Sequence, residues 1–266
     1  MNLELNNKTA LVTGGSKGIG KAIAIALAEE WVNVIICGRG EDALNEAAKE
    51  IEEINENVLA IPCDLTKQSD VDQLVAAAID RYKTIDILVN NAGIASGFDE
   101  FESLDIEEWQ HIFDVNLFGA VRVTRAVIPF MKKTGFGRII NISSESGMQP
   151  DAFMPHYNAS KAALINFTKS LSKAYAADGI LVNTVSPAFI LTPMLENLLI
   201  DNAEKQNISY DEALQQFLKE NRPHVEVKRP GTVDEVASAV LYLASNKASF
   251  VNGMNLRVDG GSVASL

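Results

Sequence analysis

Tyr157 and Lys161 stand four positions apart in a segment whose apolar residues recur at helical spacing. Residues so separated share one face of a helix, so a phenol and an ammonium group can enter one pocket. A free tyrosine titrates near pH ~10, too high to shuttle protons well at neutral pH, and a nearby cation pulls such an acid down. The spacing thus suits general acid/base chemistry, with Lys161 expected to bring Tyr157 toward its working range. A second constellation lies near the N-terminus, where Gly14-Gly15-Ser16-Lys17-Gly18-Ile19-Gly20 follows an apolar run and opens an amphipathic segment. Glycines there let the backbone turn tightly and approach a pyrophosphate, whose charge is met by the N–H groups of the helix start.

Elements must hold these groups in place. Short runs rich in Val, Ile and Leu predict strands over Thr9–Thr13, Asn33–Cys37, Val58–Pro62, Ile85–Asn90, Gly137–Ile142, Leu181–Ser186 and Met254–Val258. Between them, helical periodicity predicts helices over Gly18–Glu30, Glu41–Glu53, Gln68–Arg81, Ile106–Lys132, Pro155–Ala177 and Val233–Ala244. The alternation implies an α/β fold: a doubly wound parallel sheet of seven strands with helices on both faces. No repeat, low-complexity tract or linker divides the chain, so residues 1–266 read as a single domain. The stretch 187–230 is too long for a simple connection and reads as a lid within that domain.

With 266 residues, 47% hydrophobic and 22% charged, the chain is long enough to bury a real core and is not disordered. Its net charge of -12 opposes binding to nucleic acid or anionic lipid. No run reaches the ~18 apolar residues of a membrane span, and Met1 to Ala10 has no secretory core, so the cytoplasm is the expected location. Cys37 and Cys63 cannot build a disulfide framework or a four-ligand zinc site and read as small buried hydrophobes. His111, His156 and His224 lack metal-ligand spacing, so no metal is expected.

Thr13 before the glycine run, Asn90-Asn91-Ala92-Gly93, Asn116, Ser144 and Tyr157-x-x-x-Lys161 occur in an order that resembles the short-chain dehydrogenase/reductase family. The resemblance covers residues 5 to 261 and implies a Rossmann fold. It implies that Tyr157 is the acid/base and that Ser144 hydrogen-bonds the substrate oxygen, with Ser143 the alternative. Asn116 would hold a water in a proton relay with Lys161, which would also bond the nicotinamide ribose. The implied cofactor contacts are Gly14, Ser16, Lys17, Gly18, Ile19, Gly20, Asn91, Ala92, Gly93, Tyr157, Lys161, Pro187, Ile190 and Thr192, with Asp64 and Leu65 at the adenine.

NAD is usually held by an acidic residue at the end of the second strand, where this chain has Gly38. Arg39 and Lys17 instead resemble the family's basic pair for the 2′-phosphate, which implies NADP(H) rather than NAD(H); two solvated surface charges are the alternative. The implied activity is an NADP-dependent hydride transfer between nicotinamide and a small carbonyl or secondary alcohol substrate. Alternatives are an NAD-dependent dehydrogenase of a sugar, sterol or hydroxy acid, and a cofactor-binding sensor or assembly protein. The family also implies a homotetramer, or a dimer.

Two departures from the pattern stand out. Ala188 follows Pro187 where the family has glycine, which puts the placement of Ile190 in question. Trp31 replaces a common glycine helix stop, and a buried, packing ring is expected there. Glu145 can meet a polar substrate or cap the rim. Arg222, Lys228 and Arg229 read as a solvated lid edge or as a basic patch, and Met148, Phe153, Met154, Phe189, Met194 and Leu195 as an apolar pocket mouth or as lid packing.

Overall fold

The computed structural model describes residues 2–97 and 100–265. In chain order the elements are β1 (Thr9–Thr13), α1 (Gly18–Glu29), β2 (Asn33–Gly38), α2 (Glu41–Glu52), β3 (Val58–Pro62), α3 (Gln68–Tyr82) and β4 (Ile87–Asn90). There follow α4 (Ile106–Phe113), α5 (Gly119–Thr134), β5 (Gly137–Ile142), α6 (Pro155–Tyr175) and β6 (Ile180–Pro187). The last third adds β7 (Ile190–Leu191), α7 (Pro193–Gln206), α8 (Tyr210–Asn221), β8 (Gly231–Thr232), α9 (Val233–Ala244) and β9 (Asn255–Val258).

Seven strands form one parallel sheet in the order β3-β2-β1-β4-β5-β6-β9. Because side chains alternate along a strand, each strand serves two cores. Val12, Val34, Ile36, Val89 and Ile140 pack with Ile23 and Leu27 of α1, Leu44 of α2 and Val240 of α9. Leu11, Ile35, Leu88 and Ile139 face the other way onto Leu74 of α3 and Val127 of α5. Strands buried on both faces explain the near-continuous apolar runs in the sequence.

The order in which strands are added reverses between β1 and β4, which are parallel neighbours in the sheet. At such a reversal the loops leaving the strands' carboxyl ends part and open a crevice, and here those loops carry Gly14 and Asn91.

Residues 187–230 are not irregular. They contain β7, α7 and α8, with Phe189, Leu218 and Val225 forming a small core of their own. Phe189 and Phe217 stack with ring centres 4.9 Å apart. A Ser209–Glu212 capping box starts α8 and a Thr232–Glu235 box starts α9.

Two expectations are corrected. The helix expected over Ile106–Lys132 is interrupted by a π-helical turn at Asp114–Phe118, a local widening that recurs at functional sites. Trp31 is not buried: the residue is 64% exposed, and its backbone takes the left-handed conformation, φ 59°. The helix stop is therefore made by the backbone of a residue poorly suited to it, with the ring left in solvent.

Candidate active site

The loop after β1 is built by close backbone approach. A Cβ on Gly20 would lie 2.2 Å from the Gly14 carbonyl oxygen, and Gly14 itself has φ +65°. Either position excludes a side chain. Asn91 braces the loop from β4: its Nδ2 donates to the carbonyls of Thr13 (2.9 Å) and Gly14 (3.2 Å). In return the Thr13 hydroxyl accepts from the backbone N–H groups of Asn91 (3.0 Å) and Ala92 (3.1 Å). Thr13 is thus a structural member of the site that motif reading treats only as a prefix. No side chain caps the start of α1 and no acidic residue lies in its first turn, so its N–H groups and dipole are available to an anion.

Beside this loop lies a cavity of about 310 Å³. Gly14, Ser16, Lys17, Arg39, Asp64, Leu65, Ala92 and Gly93 all line it, together with Cys37 and Cys63. Among the described residues Lys17 and Arg39 form no ion pair, and both are exposed. Asp64 is partly committed: its Oδ1 accepts from the Thr66 hydroxyl (2.7 Å) and N–H (3.0 Å). That hydroxyl, with help from Lys67 and Arg39, holds the carboxyl below its ordinary range. A pyrophosphate and an adenosine with its own phosphate fit the glycine cradle, the free helix start and the two unpaired cations.

A second cavity, about 360 Å³, shares Gly14 and Lys17 with the first and extends along the ends of β5 and β6. It is lined by Ile19, Gly20, Asn91, Ser143, Ser144, Tyr157, Lys161, Pro187, Ile190 and Thr192. Gly18 lies against the other side of Thr192, 3.6 Å from a Cβ position to its methyl group. Residues from loops, strand ends and the starts of α1 and α6 thus meet in one crevice.

Within it the two serines differ. Ser143 donates to the carbonyl of Lys161 at 2.8 Å, which ties it to α6. Ser144 faces the same cavity as Tyr157 and accepts from the N–H of Ser146 at 3.2 Å. Asn116, in the π-turn, accepts from the N–H of Ile94 (2.8 Å) and donates to its carbonyl (3.0 Å) and to the Ser160 hydroxyl (3.1 Å). A Cβ on Gly93 would lie 3.2 Å from Lys161 Nζ and 3.3 Å from Asn116 Oδ1, so these two groups converge on one glycine.

The expected lowering of Tyr157 by Lys161 is not found. Burial pushes the phenol upward, the Ser144 hydroxyl opposes it, and the charge of Glu145 adds to it. Lys161 is itself pulled down to about 8 by burial. Its ammonium donates to the Ile142 carbonyl at 3.0 Å and stands 5.6 Å from the centre of the Tyr157 ring, so its charge is costly and is met by a backbone carbonyl.

Ala188 does not strain its turn. Its φ is not positive, and its N–H donates to the Val258 carbonyl at 3.1 Å. Ile190 is held by pairing with Gly231. A charged cluster escaped the motif reading: Arg222, at the end of α8, lies 3.6 Å from Glu145 and 3.2 Å from Asp151. Burial raises the Glu145 carboxyl above its ordinary range, with Arg222 opposing. Adjacency to Ser144 marked Glu145 in the sequence, but nothing there joined it to Arg222. His156 is fully buried, its Nε2 2.9 Å from the Ser96 carbonyl. Among the described residues no group of three or more His, Cys, Asp or Glu side chains is placed to hold a metal, and no helix is long and apolar enough to cross a membrane.

Known proteins are similar to this chain in sequence and in fold. The family model for short chain dehydrogenase matches residues 8–203. D-beta-hydroxybutyrate dehydrogenase of Rhizobium meliloti is 36% identical over 259 residues, 97% of this chain and 99% of that protein. A 3-oxoacyl-(acyl-carrier-protein) reductase of Synechocystis is 37% identical over 261 residues, 97% of this chain and 98% of its own length. The crystal structure of L-sorbose reductase from Gluconobacter frateurii, complexed with NADPH and L-sorbose, superposes with a TM-score of 0.94 at 33% identity, covering 100% of both chains. Sequence and fold agree, and the chain belongs to the short-chain dehydrogenase family of oxidoreductases.

Proposed function

We propose that this protein is an NADP(H)-dependent oxidoreductase that interconverts a small carbonyl compound and a secondary alcohol, with Tyr157 as the acid/base. The observation that carries the reading is the convergence of Ser144, Tyr157 and Lys161 in a crevice continuous with the glycine cradle. When bound, the nicotinamide supplies or accepts the hydride. Everything else is work for the chain's own side chains. Ser144 and Tyr157, which line the same cavity, present two hydroxyls to one substrate oxygen. As charge grows on that oxygen, Tyr157 gives its proton, and in the reverse direction it takes one.

Lys161, held close to Asn116 at Gly93, replenishes the proton and holds the ribose, and Asn116 fixes the geometry of that path through Ile94 and Ser160. Lys17 and Arg39 favour NADP(H): both face the first cavity without an ion-pair partner, and Gly38 supplies no carboxylate for a ribose hydroxyl. The NADPH-bound sugar reductase with the same fold supports this choice. Residues 187–230 act as the lid, tied down by Arg222 to the segment that follows Ser144.

Calorimetric titration with NADPH and NADH, followed by a panel of ketones, ketoses and oxoacyl thioesters read at the nicotinamide absorbance, tests the proposal. Tighter NADPH binding with turnover is expected. Preference for NADH would overturn the role of Lys17 and Arg39, and tight binding without turnover on any carbonyl would overturn the reductase reading.

A further inference from the structure

We propose that the charged cluster of Glu145, Arg222 and Asp151 sets the substrate class: it admits neutral hydroxyketones and turns away oxo acids, with Glu145 as the specificity-determining residue. The inference rests on reading Ser144 and Tyr157 as the reacting pair.

The cluster frames that pair from both sides. Glu145 directly follows Ser144 in the chain. Asp151 is fixed to the start of α6 by its backbone carbonyl, which accepts from Asn158 Nδ2 at 2.6 Å, and Asn158 directly follows Tyr157. Arg222, at the end of α8, spans the two: its Nε lies 3.6 Å from Glu145 Oε1 and its Nη2 lies 3.2 Å from Asp151 Oδ2. Two carboxylates therefore share one guanidinium, and with both ionised the cluster carries a negative charge in excess. Glu145 is 6% exposed, and a charge so placed is screened far less than one at the surface. The same charge is felt at the Tyr157 phenol, which it helps to raise.

Among the described residues, no cation lining the second cavity is left for an anionic substrate. The charged groups there are Lys17 and Lys161. Lys17 also lines the first cavity beside Arg39, where it serves the cofactor phosphate, and Lys161 is spent on the Ile142 carbonyl. An oxo acid whose carboxylate adjoins its carbonyl would bring that charge close to Ser144 and Tyr157. It would meet an excess of like charge there, with Arg222 already engaged by two carboxylates. Repulsion between unit charges several ångströms apart, at an effective dielectric of ~20, weakens binding by roughly tenfold or more. A hydroxyl in the same place carries no charge and can donate, and carboxylates only accept. Asp151 keeps 31% of its side chain exposed, so an acceptor is open on that side. Discrimination thus comes from a repulsion set against the wrong substrate.

The test measures kcat/KM of the full-length protein with NADPH at neutral pH on pairs that share a carbon skeleton: hydroxyacetone with pyruvate, and dihydroxyacetone with hydroxypyruvate. The neutral member of each pair should be preferred by roughly tenfold or more. Glu145→Gln should lower that ratio several-fold, chiefly by lowering KM for the oxo acid, whereas Glu145→Asp, which keeps the charge, should retain it. If Glu145→Gln does not fold, Asp151→Asn removes the other carboxylate and should shift the ratio in the same direction. An oxo acid reduced as well as its neutral partner, a ratio that the loss of charge leaves unchanged, or turnover confined to ketones without a hydroxyl would overturn the proposal. Tight NADPH binding without turnover on any carbonyl would overturn instead the reading of Ser144 and Tyr157 on which it rests.

Discussion

Lys161 donates its Nζ hydrogen bond to the backbone carbonyl of Ile142 at 3.0 Å, so the site's buried cation is anchored to the end of β5 rather than to the phenol beside it. Burial brings that ammonium down to about 8. A lysine lowered from its ordinary value of ~10.4 costs the fold up to about 3 kcal/mol while it stays charged.

The sign of the resulting pH dependence is fixed. Below pH 8 both native and unfolded chains hold the proton, and the cost is fully present. Between about 8 and 10.4 the native chain has released a proton that the unfolded chain keeps, so this group makes stability rise with pH. Lys161→Met lacks that term. Urea unfolding at neutral pH and near the top of this window should show wild type gaining on the variant by up to about 3 kcal/mol; a pH-independent difference would show that the ammonium is not desolvated.

Tyr157→Phe removes the proton donor but leaves the ring. Turnover should fall by about 10²- to 10⁴-fold or more, while NADPH binding measured by calorimetry changes little. Retained turnover would remove Tyr157 from the acid/base role.

Arg39→Ala tests the cofactor choice. A charge-assisted hydrogen bond contributes about 1.5 to 3 kcal/mol, so NADPH should bind roughly tenfold to 100-fold more weakly and NADH nearly as before. Equal losses for both cofactors would place the 2′-phosphate elsewhere.

Arg222→Ala breaks both ion pairs between α8 and the loop that follows Ser144, and leaves the buried Glu145 without its cation. The Glu145 carboxyl should then rise further, and trypsin should cut within residues 187–230 sooner than in wild type. Saturating NADPH and substrate should restore protection if those residues close over the site.

Ala188→Gly addresses the position after Pro187 where the family has glycine and this chain does not. The backbone there is not left-handed, so glycine relieves no strain and only frees the unfolded chain. A loss of about 0.4 to 1 kcal/mol in unfolding free energy is expected, with the cofactor affinity unchanged.

Much of this molecule is legible in its residues because the signals are local. Apolar runs such as Asn33–Cys37 mark strands buried on both faces, and the turn at Gly14 needs a backbone only glycine adopts freely. The four-residue step from Tyr157 to Lys161 places both on one face of α6 whatever packs around it. Helix breaks and long-range charge contacts carry no such mark. The π-turn at Asp114–Phe118 inserts one residue per turn where Asn116 must reach Ile94 and Ser160, and the surrounding sequence keeps helical spacing through it.

What the chain order by itself determined is therefore the alternation of strands and helices, the sheet that follows from it, and the identity of the groups in the crevice. Tertiary structure alone decided the electrostatics: which carbonyl the Lys161 ammonium bonds, that Tyr157 is raised and that Arg222 meets Glu145. The physical reason is range. Periodicity and turn chemistry act between neighbours along the chain, whereas desolvation and ion pairing depend on what lies within a few ångströms in space, and folding sets those neighbours from residues as far apart as Glu145 and Arg222.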